Sequence, residues 1–270
     1  MSAIEAALSA WLAVAIAAVS SHGVCIYLLL RLHRKKVSDY LFMLLSIVEM
    51  VKVLLRVGYV IYCLTQHTCP RNNVYFAATV TCLIAQYLSV IFITLDRVLK
   101  VQLSIKYGVF VTKKSLFWVS PPFIVVCLCH GLVTWIYPDT ANNIVLAWEI
   151  FASVIIIACY FYIFKYLRTL TREIFQESSA ISRRPGLKLK VPLLIVATFL
   201  AFCVFPNLLL AARLIRFSPW LYIIFDLNTL CDVVIYVFGT PKLIQLLPCH
   251  ASGFIQEHRN IDITYTENTM

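Results

Sequence analysis

Long apolar stretches dominate the pattern of hydrophobic and polar residues along the chain. Seven of them are long enough for a membrane-spanning helix, which needs about 20 mainly apolar residues. They cover residues 8–30, 40–64, 73–98, 115–137, 146–168, 191–213 and 219–240. Barrel strands need only about 10 residues, and backbone in contact with lipid must satisfy its own hydrogen bonds, so these stretches predict helices. The predicted fold is therefore all-α: a seven-transmembrane helix bundle with short connections, except for the segment 166–190.

The composition supports this prediction. The 270 residues are 61% hydrophobic and 13% charged, and the mean hydropathy is +0.85. In an ordinary soluble domain the charged residues make up about a quarter of the chain. A soluble domain of this length would also keep roughly a quarter of its unfolded surface in contact with water. The composition therefore excludes a soluble domain and a disordered chain, and it indicates a polytopic protein whose main solvent is membrane lipid.

The basic residues predict the orientation, because cytoplasmic loops of membrane proteins are enriched in Lys and Arg. With the N-terminus outside, 18 of the 23 basic residues are cytoplasmic: four in 31–36, five in 97–114, seven in 165–190 and two in the tail. We therefore expect a multi-pass membrane protein with its N-terminus outside and its C-terminus in the cytoplasm. The net charge of +10 is explained by this asymmetry and by attraction to anionic lipid, so no nucleic-acid partner is expected.

Seven ionisable residues interrupt the apolar stretches. A charge at the bilayer centre costs about 2.5–3.5 kcal/mol on insertion scales, so such residues are expected to face the interior of a bundle. They are Glu49, Lys52, Arg56, Asp96, Glu149, Asp226 and Asp232. The first three recur at i, i+3 and i+7, which places them on one face of the second helix. Two interpretations of that face stay open: a structural Glu49–Lys52 ion pair, or a polar interior lining shared with Asp226.

Three of the stretches carry short motifs. The third ends in Leu95-Asp96-Arg97-Val98, the sixth contains Cys203-Val204-Phe205-Pro206, and the seventh contains Asn228 followed by Asp232-Val233-Val234-Ile235-Tyr236. A proline inside a helix removes one backbone hydrogen bond and kinks the helix. Pro206 is therefore expected to give the sixth helix a place to bend.

In their order along nearly the whole chain, these motifs resemble the rhodopsin-like (class A) G-protein-coupled receptors. The segment 96–98 is similar to the Asp-Arg-Tyr triplet of that family, 203–206 to its Cys-Trp-x-Pro without the Trp, and 232–236 to its Asn/Asp-Pro-x-x-Tyr without the Pro. Tyr40 and Glu49 resemble its second-helix pattern, with Glu in place of Asp. A very short second outer loop and the absence of a fifth-helix proline are similar to melanocortin receptors, although their acidic ligand-binding residues do not carry over.

The resemblance implies a role for each group of residues. G-protein coupling and activation would depend on Asp96, Arg97, Ile105, Tyr107, Tyr162, Pro206 and Tyr236. A central polar network would contain Glu49, Gln86, Asn228 and Asp232, and it stays open whether a sodium ion or water fills it. Candidates for the ligand pocket are Lys52, Arg56, Thr79, Glu149, Asn207 and Asp226.

The resemblance also implies partners and boundaries. The receptor domain would cover residues 1–249, ending in a short amphipathic helix at about 241–249 with a palmitoylation site at Cys249, and 250–270 would be a cytoplasmic tail. The partners would be an extracellular ligand of unknown identity, a heterotrimeric G protein and membrane lipid, with no cofactor or metal. Two pairings are expected within the bundle: Arg97 with Asp96 at rest, and Lys52 with Asp226.

A transporter or channel is the alternative function. Transporters typically show inverted repeats and interrupted helix pairs, and in this chain only Pro121-Pro122 is expected to interrupt a span. Enzymatic activity is not expected, because zinc hydrolases need clustered ligands and the six histidines are scattered singly.

Overall fold

The computed structural model of the chain describes residues 3–32, 35–66, 73–103, 106–177, 194, 197–198, 200–211, 219–240, 243 and 246. All regular elements within these ranges are helical. The long helices are α1 (Ala3–Arg31), α2 (Val37–Gln66), α3 (Asn73–Leu103), α4 (Lys113–Ile136) and α5 (Ala141–Glu177), followed by α6 (Phe205–Ala211) and α7 (Pro219–Gly239). One-turn helices lie at Tyr107–Phe110 and Pro138–Thr140, and a π-helical turn, Leu200–Val204, leads into α6. Each of α1 to α7 overlaps one of the seven apolar stretches, and α6 covers only seven residues of the stretch 191–213.

Four helical segments in the described part of the chain are long and apolar enough to cross a membrane. They are Leu8–Arg31, Asn73–Leu103, Trp118–Ile136 and Pro138–Tyr166. The helices α2 and α7 have 30 and 21 residues and carry buried ionisable side chains within them. The prediction of an all-helical chain with apolar helices of membrane-spanning length is confirmed, whereas the count of seven spans stays a prediction.

The helix α3 is central to the packing, since it contacts α2, α4 and α5, while α1 packs against α2 and α7. The largest hydrophobic cluster joins buried residues of α1, α2, α3, α5 and α7, among them Leu29, Phe42, Leu45, Tyr87, Val90, Ile156 and Val233. This arrangement surrounds a polar interior with apolar side chains. Large hydrophobic residues also cover the outside, for example Ile16, Phe161 and Phe164, which are 59%, 71% and 66% exposed. An apolar exterior of this kind is what a lipid environment favours.

One narrow stripe of α1 is buried. It consists of residues spaced alternately by four and three positions: Trp11, Ala15, Ala18, His22, Cys25 and Leu29. This spacing keeps the side chains on one face of a helix. The small residues of the stripe let neighbouring helices approach closely, which is how helices associate in membranes.

The helix α4 packs tightly against α3 and runs without a break. A Cβ atom added at Gly131 would overlap the Thr81 hydroxyl group of α3, so a larger residue there would force this side chain to move. Pro121 and Pro122 lie inside the continuous helix, and the expected interruption of the fourth span is therefore wrong. Both prolines are on the exposed face of α4, where their rings displace no packed neighbour, and proline is tolerated in membrane helices.

Candidate functional site

The structure buries all seven ionisable residues that interrupt the apolar stretches. Their exposed fractions range from 0% to 7%, so the prediction that they face the interior is confirmed. Burying a charge is costly unless the group is paired and hydrogen-bonded. These seven residues and their partners therefore define the candidate site. It has two parts: a middle network, and a group of residues at the C-terminal end of α3, the Asp96 end.

The first part of the middle network is centred on Glu49. Its Oε2 lies 2.5 Å from Lys52 Nζ and accepts a hydrogen bond from Thr229 Oγ1 at 2.7 Å. The ammonium group of Lys52 also donates to Gln86 Oε1 at 2.8 Å. His22 Nε2 lies 3.1 Å from the carbonyl oxygen of Thr229. The Glu49–Lys52 ion pair is thus present, and the network joins α1, α2, α3 and α7.

The second part of the middle network is centred on Asp232. Its Oδ1 accepts a hydrogen bond from Thr198 Oγ1 at 3.1 Å, and its Oδ2 accepts one from Asn228 Nδ2 at 3.4 Å. Four buried polar atoms of the middle network have no hydrogen-bond partner among the described residues: His22 Nδ1, Glu49 Oε1, Gln86 Nε2 and Asn228 Oδ1. A buried polar atom left unpaired costs about 1–3 kcal/mol. In proteins, buried water molecules typically form the hydrogen bonds that such donors and acceptors lack.

Asp226 is bound by two residues, neither of which is the predicted one. Arg56 Nη1 lies 2.5 Å from its Oδ1, and Trp11 Nε1 donates to its Oδ2 at 2.8 Å. The expected Lys52–Asp226 pair is wrong, because Glu49 and Gln86 hold the lysine. An arginine one turn further along α2 supplies the cation instead, and its longer guanidinium carries more donors than an ammonium group.

Glu149 and Asn207 form a separate polar contact between α5 and α6. Asn207 Nδ2 donates to Glu149 Oε1 at 2.8 Å. Thr79 has a buried hydroxyl without a hydrogen-bond partner among the described residues, and it is seven positions before Gln86 on the same face of α3. The ligand-pocket candidates are therefore divided between the α2–α7 interface and the α5–α6 interface.

At the Asp96 end, three side chains contact one another. Asp96 Oδ2 lies 2.5 Å from Lys100 Nζ, its Oδ1 accepts a hydrogen bond from the Tyr107 hydroxyl, and the Lys100 ammonium lies 5.1 Å from the centre of the Tyr107 ring. Burial and the hydrogen bond to Asp96 raise the pKa of Tyr107, so the phenol stays neutral and donates.

The expected resting pair of Arg97 with Asp96 is wrong. Consecutive residues of a helix point in different directions, whereas residues four apart share a face. Asp96 therefore meets Lys100 and not its neighbour in the chain. The Nε of Arg97 is buried and makes no hydrogen bond to any residue in the described ranges.

Tyr236 and Tyr162, two of the predicted coupling residues, have partners other than Arg97 in this conformation. The Tyr236 hydroxyl donates to Asp39 Oδ1 at 2.9 Å, and its ring stacks on Phe42 with a centroid distance of 3.5 Å. The Tyr162 hydroxyl accepts a hydrogen bond from Gln102 Nε2 at 3.0 Å. Tyr236 therefore joins α7 to α2, and Tyr162 joins α5 to α3.

Pro206 is buried and is the second residue of α6, which begins directly after the π-helical turn Leu200–Val204. The irregular winding lies where the sequence predicts a bend of the sixth helix. Ile105 and Cys249 lie outside the described residues, as does most of the predicted amphipathic helix.

Sequence reasoning missed six residues of the site: Trp11, His22, Asp39, Lys100, Thr198 and Thr229. Two signals were available. The four-and-three spacing of small residues in α1 indicates a buried face that includes Trp11 and His22, and Thr229 lies three positions from both Asp226 and Asp232. Asp39 gave no such signal, because acidic residues are common in the first turn of helices and do not by themselves indicate a functional contact.

Other features of the described residues do not form a polar site. No group of three or more His, Cys, Asp or Glu side chains there could hold a metal ion. A groove of about 520 Å³ between α3 and α4 is lined by Val74, Ala77, Ala78, Thr81, Leu128, Cys129, Gly131, Leu132 and Trp135. This lining is mostly apolar and lies on the outside of the bundle, away from the buried charges.

Comparison of the chain with protein-family models gives no match, and comparison with curated proteins gives none either.

Proposed function

We propose that the protein is a rhodopsin-like G-protein-coupled receptor with seven spans. It carries the signal of an extracellular ligand to a heterotrimeric G protein at the cytoplasmic face of the plasma membrane. The observation that supports this most is the buried polar network, because charges inside an apolar bundle are costly and usually functional. Three of the buried charges stand at positions that carry the sequence resemblance. Glu49, Asp232 and Asp96 are all buried.

The mechanism is a shift between two arrangements of the helices. An agonist acts only if it binds the active arrangement better than the resting one, and the G protein must then raise agonist affinity by the same factor. The π-turn before Pro206 gives the sixth helix a point of movement. Two hydrogen bonds join this region to its neighbours, Thr198 to Asp232 on α7 and Asn207 to Glu149 on α5. Outward movement of the sixth helix would break or rearrange these bonds.

Arg97 is the proposed contact with the G protein. Its guanidinium is always charged and offers five donors, and its Nε has no partner among the described residues. Asp96 is already bound by Lys100 and Tyr107. Arg97 is therefore available for a new partner when the sixth helix moves.

The test is guanine-nucleotide exchange on purified G proteins by the full chain in proteoliposomes, with wild type compared with Arg97→Ala. We expect the basal exchange of wild type to fall to background in the variant, with similar thermal unfolding. Arg31→Ala is the matched control: Arg31 lies at the same end of the bundle, where it covers the Tyr27 ring at 4.9 Å, and its loss should leave exchange unchanged. Full exchange by Arg97→Ala would refute the assignment.

A transporter or channel is the alternative, since intramembrane charges also mark ion pathways. The uninterrupted α4 removes the sequence feature that favoured it. Substrate-dependent flux into the same proteoliposomes, without nucleotide exchange, would establish the alternative.

A further inference from the structure

Glu149 differs from Asp226 in the way its charge is balanced. Asp226 has an ion pair with Arg56 and a hydrogen bond from Trp11. Glu149 is 1% exposed, and its one side-chain hydrogen bond to a described residue comes from the neutral amide of Asn207 to Oε1. Its Oε2 is buried and has no hydrogen-bond partner in the described part of the chain. Asp232 also lacks a basic partner there, but both of its oxygens are hydrogen-bonded.

The orientation of Glu149 follows from its neighbour in the chain. Trp148 Nε1 donates to His130 Nε2 at 3.1 Å, and the two rings meet edge to face at 5.4 Å, so this face of α5 packs on α4. The next residue of a helix is turned by about 100°. Glu149 is thereby directed away from α4 and toward Asn207 on α6.

Asn207 belongs to the least regular helical segment that the structure describes. It follows Pro206 and the π-turn Leu200–Val204, and π-turns are frequent at functional sites. The Glu149–Asn207 hydrogen bond therefore joins the regular helix α5 to the part of the sixth helix that is best able to move.

We propose that Glu149 is the anchor for a positively charged group of the ligand, an amine or a guanidinium, which binds Oε2 and displaces Asn207 from Oε1. This inference rests on the proposed function, since it names the class of ligand. A charged donor adds a Coulomb attraction to the carboxylate that the neutral amide of Asn207 lacks. The attraction is also stronger in a protein interior than in water. Release of Asn207 frees the sixth helix, so binding favours the active arrangement.

The test uses the purified full chain in detergent and pairs of probes that differ in charge. The pairs are tryptamine with 3-(2-hydroxyethyl)indole, benzamidine with benzamide, and benzylamine with benzyl alcohol, and the readout is the midpoint of thermal unfolding against probe concentration. We expect at least one cation to raise the midpoint saturably, and its neutral counterpart to leave it unchanged. Equal effects of cation and neutral counterpart in all three pairs would overturn the proposal.

Three variants locate the effect. Glu149→Gln should weaken binding of the cation by about 10- to 100-fold, the range expected for losing a charged hydrogen bond. Asn207→Ala removes the competing amide and should tighten binding; this variant keeps the proposal testable if Glu149→Gln fails to fold. Asp139→Asn removes an exposed negative charge at the same end of the bundle and should leave the affinity for the cation unchanged. Unchanged cation affinity in both Glu149→Gln and Asn207→Ala would refute the anchor.

This experiment is independent of the G-protein assay. Binding that depends on Glu149, without nucleotide exchange, would support the anchor and contradict the receptor proposal. Exchange that depends on Arg97, without charge-selective binding, would support the receptor and contradict the anchor.

Discussion

The middle of the bundle and its Asp96 end balance buried carboxylates in different ways. In the middle, Glu49 and Asp226 each bind a basic residue that is itself buried, Lys52 at 3% and Arg56 at 7% exposure. At the Asp96 end, Asp96 binds the Tyr107 hydroxyl and a lysine whose side chain is 25% exposed. Water can reach the second arrangement and not the first. Loss of one partner should therefore destabilise the protein more in the middle than at the end.

The largest effect is expected for Asp226→Ala. It leaves the Arg56 guanidinium buried without its carboxylate, which typically costs about 3–5 kcal/mol. The thermal unfolding midpoint in detergent should fall sharply, or the yield of folded protein should collapse.

Replacing both charges, with Arg56→Met and Asp226→Leu, should recover most of the loss because no unpaired charge remains. Asp39→Ala, which removes a carboxylate from the Asp96 end, is the control and should be milder. An Asp226→Ala variant as stable as Asp39→Ala would contradict the comparison between the two regions.

A smaller effect is expected for Lys52→Met. The variant removes the ion pair with Glu49 and the hydrogen bond to Gln86. The Glu49 carboxylate left behind can be neutralised by a proton or a sodium ion, whereas an arginine cannot lose its charge, so the loss should be only about 1.5–3 kcal/mol. Glu49 then lacks its built-in cation, so sodium is expected to restore part of the stability.

The measurement compares unfolding midpoints in sodium chloride and in N-methyl-D-glucamine chloride at equal ionic strength. Wild type should show no difference, because Lys52 already neutralises Glu49, and the variant should be more stable in sodium. A sodium effect in wild type that disappears in Lys52→Met would show that the lysine does not replace the ion.

The smallest effect is expected for Tyr236→Phe at the Asp96 end. The substitution removes the hydrogen bond to Asp39 and keeps the stacking on Phe42. A single hydrogen bond contributes about 0.5–1.5 kcal/mol, so the midpoint should fall by a few degrees at most. Tyr162→Phe, which loses an exposed bond to Gln102, is the control and should be close to neutral. If Tyr236→Phe lowered the unfolding midpoint as much as Asp226→Ala, the expected difference in stability between the two regions would be contradicted.

Contacts within one helix were accessible from the sequence. The spacing of Glu49, Lys52 and Arg56 predicted one buried face of α2, and the Glu49–Lys52 pair is an i, i+3 contact. The Asp96–Lys100 pair is an i, i+4 contact and follows from the same rule. It was missed because the family motif favoured Arg97 as the partner.

Contacts between helices were not accessible in the same way. Lys52 and Arg56 are four residues apart, which is about 6 Å along the helix axis. To predict which of them pairs with Asp226, one would have to know the position of α7 along α2 to better than this distance. The hydrogen bonds of Asp226 with Trp11 and of Tyr236 with Asp39 join residues 215 and 197 positions apart. Helical periodicity reports which side chains share a face, because it depends only on the rise and turn of one helix. The position of one helix along the axis of another depends on how all their side chains pack. This packing places Arg56, and not Lys52, against Asp226.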